Sequence, residues 1–144
     1  MDLDGKVVGI NSAVRQNDNG IGFAIPINMV KEVVPMLVRD GKMSRSAIGV
    51  SVDDLSPEDL KRVGLESRKG AIVRDLRPGG PGDKGGIAKD DVILAFEGKP
   101  VDGSNTLRWL ASVHGIGKAA KIHVARGKRE FDVTVTLDAL SPTP

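Results

Sequence analysis

The sequence predicts an α+β protein: a partly open β-barrel or sandwich with two helices, preceded by a β-hairpin and a helix that read as a separate piece. Three observations carry this. Short apolar or alternating runs recur between turn residues from Lys6 to Leu137. Apolar residues at helical spacing occupy a stretch before Gly41 and two after it. From Lys42 onward the order is strand, helix, strand, short glycine segment, strand, helix, hairpin, which mixes strands and helices without the strict alternation of a parallel sheet.

The first forty residues are taken in order. Asp4-Gly5 is a hairpin-type turn signal. KVVGINSAV (6–14) reads as a strand, RQNDNG as a loop with a turn at Asn19-Gly20, and IGFAIPI (21–27) as a second strand. Asn28 is the expected cap of a helix in which Val30, Val33, Val34, Leu37 and Val38 share a face. Pro35 falls inside that helix and Gly41 ends it.

In the second piece, SAIGVSV (46–52) alternates as a short strand. SPEDLKRVG starts a helix with Ser56 as N-cap, Pro57 in the first helical position and acidic residues in the first turn. GAIVRDL (70–76) and DVILAFEG (91–98) read as buried strands. SNTLRWLASV (104–113) is a helix with Ser104 as the expected cap. AKIHVAR and REFDVTVTL close the unit as a hairpin around Gly127-Lys128, and SPTP reads as a linker stub. The resulting division is 1–41, 42–138 and a tail, 139–144.

Composition excludes several functions. A net charge of +2 and only three Phe, one Trp and no Tyr give neither the basic stripe nor the stacking platforms of a nucleic-acid binder. With no cysteine there is no disulfide or thiolate metal site, and no acidic pair has converging partners, so no metal or cofactor is expected. No apolar run approaches the roughly 20 residues of a membrane span, and because Met1 leads straight into DLDGKVVGI no signal peptide is expected within this chain. The glycine-rich stretch RPGGPGDKGGIAKDD (77–91) lacks the Gly-Lys-Ser/Thr of a phosphate loop and runs into a strand, not a long helix. It reads as a connection with one weak helical turn, loosened by Gly80, Gly82 and Gly85. Only His114 and His123 could act as bases, and no serine sits in a nucleophile setting, so no catalytic triad is expected within the chain.

Two segments together resemble one family. LDGKVVGINSAV and GIGFAIPINMVKEVV are similar to the last strands and C-terminal helix of the chymotrypsin-like domain of HtrA (Deg) serine proteases. SAIGVSV and the run from Gly64 to Val101 are similar to the PDZ domain that follows it there. The resemblance places the protease's His, Asp and Ser upstream of the residue corresponding to Met1, so the chain is expected to be proteolytically inactive and its parent a serine endopeptidase. It implies that C-terminal peptides of unfolded or client proteins are bound by strand addition, that the parent's protease domain is a partner, and that the setting is periplasmic protein quality control.

Carried over by position, the carboxylate loop is Ala47, Ile48, Gly49 and Val50, continuing into Ser51 and Val52, with Arg45 just before it adding attraction for the carboxylate. Ile48, Gly49 and Val50 are the expected N–H donors. The helix 104–113 would form the opposite wall through Leu107, Leu110, Ala111 and His114, and the implied ligand ends in a small or medium aliphatic residue. The alternative is a PDZ unit that docks on neighbouring domains and binds little free peptide. Asp90 stands where the family has glycine, so a left-handed backbone is expected at an Asp. The orphaned apolar hairpin of 1–27 is expected to pair intermolecularly, giving a homo-oligomer through its strand edges, or to fold back onto the PDZ unit.

Overall fold

The computed structural model describes residues 1–14, 22–65 and 69–140. The expected turn at Asn19-Gly20, the first residue of the second strand (Ile21) and the 141–144 stub lie outside them. The chain forms two compact units, Met1–Met43 and Ser44–Pro144.

In the first unit, β1 (Gly9–Val14) pairs antiparallel with β2 (Gly22–Pro26), with a bulge between Asn11 and Ala13. Both strands are shorter than the apolar runs that signal them. The helix α1 (Ile27–Asp40) starts directly after Pro26, whose fixed φ of −58° leads into it, and no side chain caps it. Asn28 is therefore inside the first turn and not the cap. The unit is thinly covered: Ile10, Phe23 and Ile25 are 48%, 57% and 42% exposed, and α1 buries no residue fully.

The second unit holds a six-stranded sheet in which β4 (Val50–Asp54), β5 (Ala71–Leu76), β6 (Val92–Phe96), β8 (Ala119–Arg126) and β9 (Arg129–Thr136) are consecutive neighbours, with β7 (Lys99–Pro100) attached to β6. All printed pairings are antiparallel. A separate two-stranded pairing joins β3 (Ser46–Ala47) to β10 (Asp138–Ala139). The sheets are open, as the sequence predicts, and no barrel closes among the described residues.

Among the described residues three helices complete this unit: α2 (Pro57–Val63), the single turn α3 (Pro81–Lys84) and α4 (Ser104–His114). The core is aliphatic, with Phe96 as its one large aromatic, and joins Ile48 and Val52 to Leu107, Ala111, Ile122 and Leu137. β8 and β9 turn through Gly127-Lys128 with Arg126 opposite Arg129, the two-residue hairpin that the sequence signals. Asp90 does take the left-handed conformation, φ 68°, with its carboxylate 2.8 Å from Arg62.

α2 begins in a capping box: Ser56 Oγ accepts the Asp59 N–H, and the Asp59 carboxylate accepts the Ser56 N–H. That carboxylate also accepts from both terminal guanidinium nitrogens of Arg74, Nη1 and Nη2, at 2.8 Å. The Arg74 bonds first, then those from Ser56, hold the buried Asp59 carboxyl far below the usual carboxylate range. A depressed carboxyl contributes stability that is fully present above the unfolded value of about 3.9 and is lost as pH falls through the folded one. The melting temperature of the second unit is therefore expected to fall between about pH 5 and pH 2, and Arg74→Met should flatten that fall in a calorimetric pH series.

Candidate peptide-binding groove

The residues from Arg45 to Val50 are held from four sides. On one side β3 pairs with β10, and the Leu140 N–H bonds the Arg45 carbonyl at 2.9 Å. Ser46, 2% exposed, donates its hydroxyl to the Ala111 carbonyl at 2.5 Å and accepts the Gly115 N–H at 3.1 Å, tying the loop to the C-terminal end of α4. Ser46→Ala removes both bonds from a buried position and is expected to cost about 1–3 kcal/mol in a denaturant titration.

The other two ties decide the chemistry. The Gly82 N–H bonds the Ile48 carbonyl at 2.7 Å, and the Arg77 N–H bonds the Gly49 carbonyl at 2.9 Å. In a trans peptide the carbonyl and the following N–H point in opposite directions. With both carbonyls pulled back onto the glycine-rich segment, the N–H groups of Gly49 and Val50 are turned to the other side. Two adjacent N–H dipoles on one side are an arrangement suited to receiving an anion.

Gly49 permits this because it sits at φ 76°, and a Cβ there would lie 3.0 Å from Pro81 Cδ. Gly82 permits the buttress: a Cβ there would meet Val50 Cγ1 at 2.7 Å and the Ile48 oxygen at 3.1 Å. The glycine-rich stretch is thus the support of the loop. Gly80 and Gly82 are both buried, and the weak turn that the sequence implies is packed in place.

β4 lies at the end of the sheet order, with β5 as its only strand neighbour among the described residues, and α4 packs beside it. α4 is fixed at its start as well as its end. Gly103, not Ser104, is the N-cap residue and offers no side chain, so Asp54 of β4 takes that role and accepts the Ser104 N–H at 2.7 Å. That bond is the main reason the Asp54 carboxyl is held below the ordinary range. Between the two ends, Arg108 Nη2 donates to the Val52 carbonyl at 2.6 Å.

Of the residues singled out from the sequence, Ile48, Val52, Leu107 and Ala111 lie in one buried cluster, with Val50 and Leu110 half-buried against it. Ala47 pairs with Asp138 in β10, and Arg45 and Ser51 are exposed. His114 is engaged elsewhere: its ring packs edge-on to Phe96 at 5.3 Å, and Nε2 donates to the Ala119 carbonyl at 2.9 Å. His123 lies between Asp132 and Glu130, which hold it above its ordinary pKa. Among the described residues no group of three or more His, Asp or Glu is placed to hold a metal ion. Sequence reasoning missed Ser46, Asp54, Gly82 and Arg108.

An open edge strand, a loop with two N–H groups turned out and a facing helix define a PDZ-type module. The chain belongs to the PDZ domain family, which matches residues 46–137. Its curated relatives include proteins named probable periplasmic serine endoprotease DegP-like. That of Rickettsia conorii is 36% identical over 94% of this chain, and that of Chlamydia pneumoniae 34% identical over 95%. The chain spans 27% and 29% of their lengths. Among solved structures it is similar to the HtrA-type protease AlgW with tripeptide, with a TM-score of 0.77 and 28% identity over 99% of this chain and 48% of that one. The AlgW structure with decapeptide has a TM-score of 0.73 over 99% and 45%. These matches bear out the family resemblance, and they extend over the first unit as well as the PDZ unit. No helix among the described residues is long and apolar enough to cross a membrane.

Proposed function

We propose that the second unit binds the free C-terminus of polypeptides by strand addition to β4. The peptide carboxylate would sit against the N–H groups of Gly49 and Val50, with Ile48 as the third donor, and the last side chain would enter between Val50 and Leu110. In this reading the chain is the substrate-capturing part of a larger periplasmic serine endopeptidase of protein quality control. Its first unit is then the end of the protease domain, which would cover the exposed apolar residues of β1 and β2. The single observation that carries the reading is the paired outward N–H groups beside an uncovered edge strand. The solved relatives named with a tripeptide and a decapeptide support it.

The test is a calorimetric titration with peptides ending in valine, as the free acid and as the C-terminal amide. Charge-assisted bonds to the carboxylate should make the acid about 10- to 100-fold tighter. Equal binding of the two would contradict the carboxylate loop. Binding of neither would favour a unit that docks on neighbouring domains, a reading for which the Arg108 bond across the groove is the supporting observation.

A further inference from the structure

The strand by which the chain leaves the second unit is tied to the loop that faces the groove. β10 runs antiparallel to β3, with Asp138 opposite Ala47 and Ala139 opposite Ser46, and the Leu140 N–H extends this ladder to the Arg45 carbonyl. Residues 138–140 therefore flank the three residues that lead into Ile48 and Gly49. Arg77 closes a ring around the pairing. Its N–H holds the Gly49 carbonyl at 2.9 Å, and its Nη2 reaches the Asp138 carboxylate at 3.3 Å. The side chain passes over Gly80, where a Cβ would stand 3.2 Å from Arg77 Nε. The ring thus runs from Gly49 through Arg77, Asp138 and Ala47, and back along the chain through Ile48.

We propose that this exit strand regulates the carboxylate loop, with Asp138 and Arg77 as positioning residues, so that a pull on the chain beyond Leu140 lowers affinity for a free C-terminus. The proposal rests on the groove reading above and deepens it by naming what regulates that site. The Gly49 carbonyl and the Val50 N–H share one peptide plane, and the Ile48 carbonyl and the Gly49 N–H share the one before it. Arg77 holds the first plane, and Ala47 leads into the second. A shift of β10 moves both points of attachment, one through the ion pair and the other through the ladder. Gly49, without a Cβ, lets the planes rotate with them. The strand is two residues long and exposed, and both ends of the ion pair are exposed as well. Such a segment opens locally at small cost, which suits a control element better than a fixed support. Coupling between two sites is reciprocal, so a bound carboxylate must in turn hold the exit strand closed.

The experiment is a calorimetric titration of the whole chain and of its Asp138→Asn and Leu140→Pro variants, with the valine-terminated peptide as free acid and as amide. Asparagine drops the charge but keeps an oxygen for the Ala139 N–H that Asp138 accepts. Proline removes the Leu140 N–H from an exposed position outside the core. Each variant should bind the acid about two- to five-fold more weakly and the amide as before, so the preference for the acid falls. A merely structural role would lower both affinities together, or only the melting temperature. Hydrogen exchange supplies the reciprocal readout. The Leu140 amide exchanges through local opening, which protection against global unfolding does not slow. The free acid should slow it by about the same two- to five-fold, and the amide should leave it unchanged.

If the unaltered chain binds acid and amide alike, the groove reading fails and this proposal fails with it. If the acid is preferred but the variants keep that preference in full, or the Leu140 amide exchanges equally fast with and without the acid, the exit strand does not regulate the loop.

Discussion

Gly49→Ala is expected to weaken binding of a free C-terminal peptide by about tenfold or more and to lower stability by about 1–2 kcal/mol. The residue sits at φ 76°, where an L side chain is strained, and its new Cβ would press on Pro81 Cδ at 3.0 Å. Pro81 opens α3, whose Gly82 N–H holds the Ile48 carbonyl. Relief of the contact therefore moves the peptide planes that aim the two N–H groups. Gly127→Ala is the control. It has φ 60° in the β8–β9 turn with nothing within 4 Å of the added Cβ. It should lose comparable stability while peptide affinity stays unchanged, so a thermal melt and a binding titration on both variants separate strain from site geometry.

The largest stability effect is expected at Asp91 and Arg126. Asp91 is fully buried, with Arg126 Nε at 2.7 Å, Nη2 at 2.8 Å and the Ala88 N–H at 2.7 Å. Arg126 also donates to the Gly86 carbonyl at 2.9 Å and stands 5.1 Å over the Phe131 ring. The pair thus fastens the exit of the glycine-rich segment to β8 and β9. Arg126→Leu leaves a carboxylate buried without its cation and should cost about 3–5 kcal/mol. At roughly 4–8 °C per kcal/mol for a unit of this size, the melting temperature should fall by about 12 °C or more. Asp91→Ala should cost about 3 kcal/mol, because the guanidinium that remains is half exposed and can turn to water. The double variant should lose less than the sum of the two, and additive losses in a denaturant cycle would mean that the pair does not act as a unit.

What the sequence disclosed is what depends on neighbours in the chain. The cap at Ser56 and the turn at Gly127-Lys128 each follow from residues within a few positions of one another, and the left-handed Asp90 follows from the family resemblance. The groove was legible only through the family resemblance, since Ala47 to Val52 alone read as an ordinary strand. Its fixings were not legible at all. Ser46 meets Ala111 across 65 positions, Asp54 meets Ser104 across 50, and Arg108 meets Val52 across 56. No periodicity encodes such pairs. Gly82 shows the same limit in another form: local propensity reads a glycine in a weak turn, whereas the packing shows a backbone that must come within contact of Val50. The two misplaced caps, Asn28 and Ser104, have one cause as well. In each case the preceding backbone, Pro26 or Gly103 with Asp54, had already set the helix start.

The central claim is that the N–H groups of Gly49 and Val50 receive a peptide carboxylate. Amide proton–nitrogen correlation spectra of the chain, recorded as a valine-terminated peptide is added, test it most directly. The free acid should move the Gly49 and Val50 amide resonances downfield, as stronger hydrogen bonds do, and the C-terminal amide should leave them nearly in place. Binding that shifts resonances elsewhere in the second unit while these two stay fixed with the free acid would contradict the account.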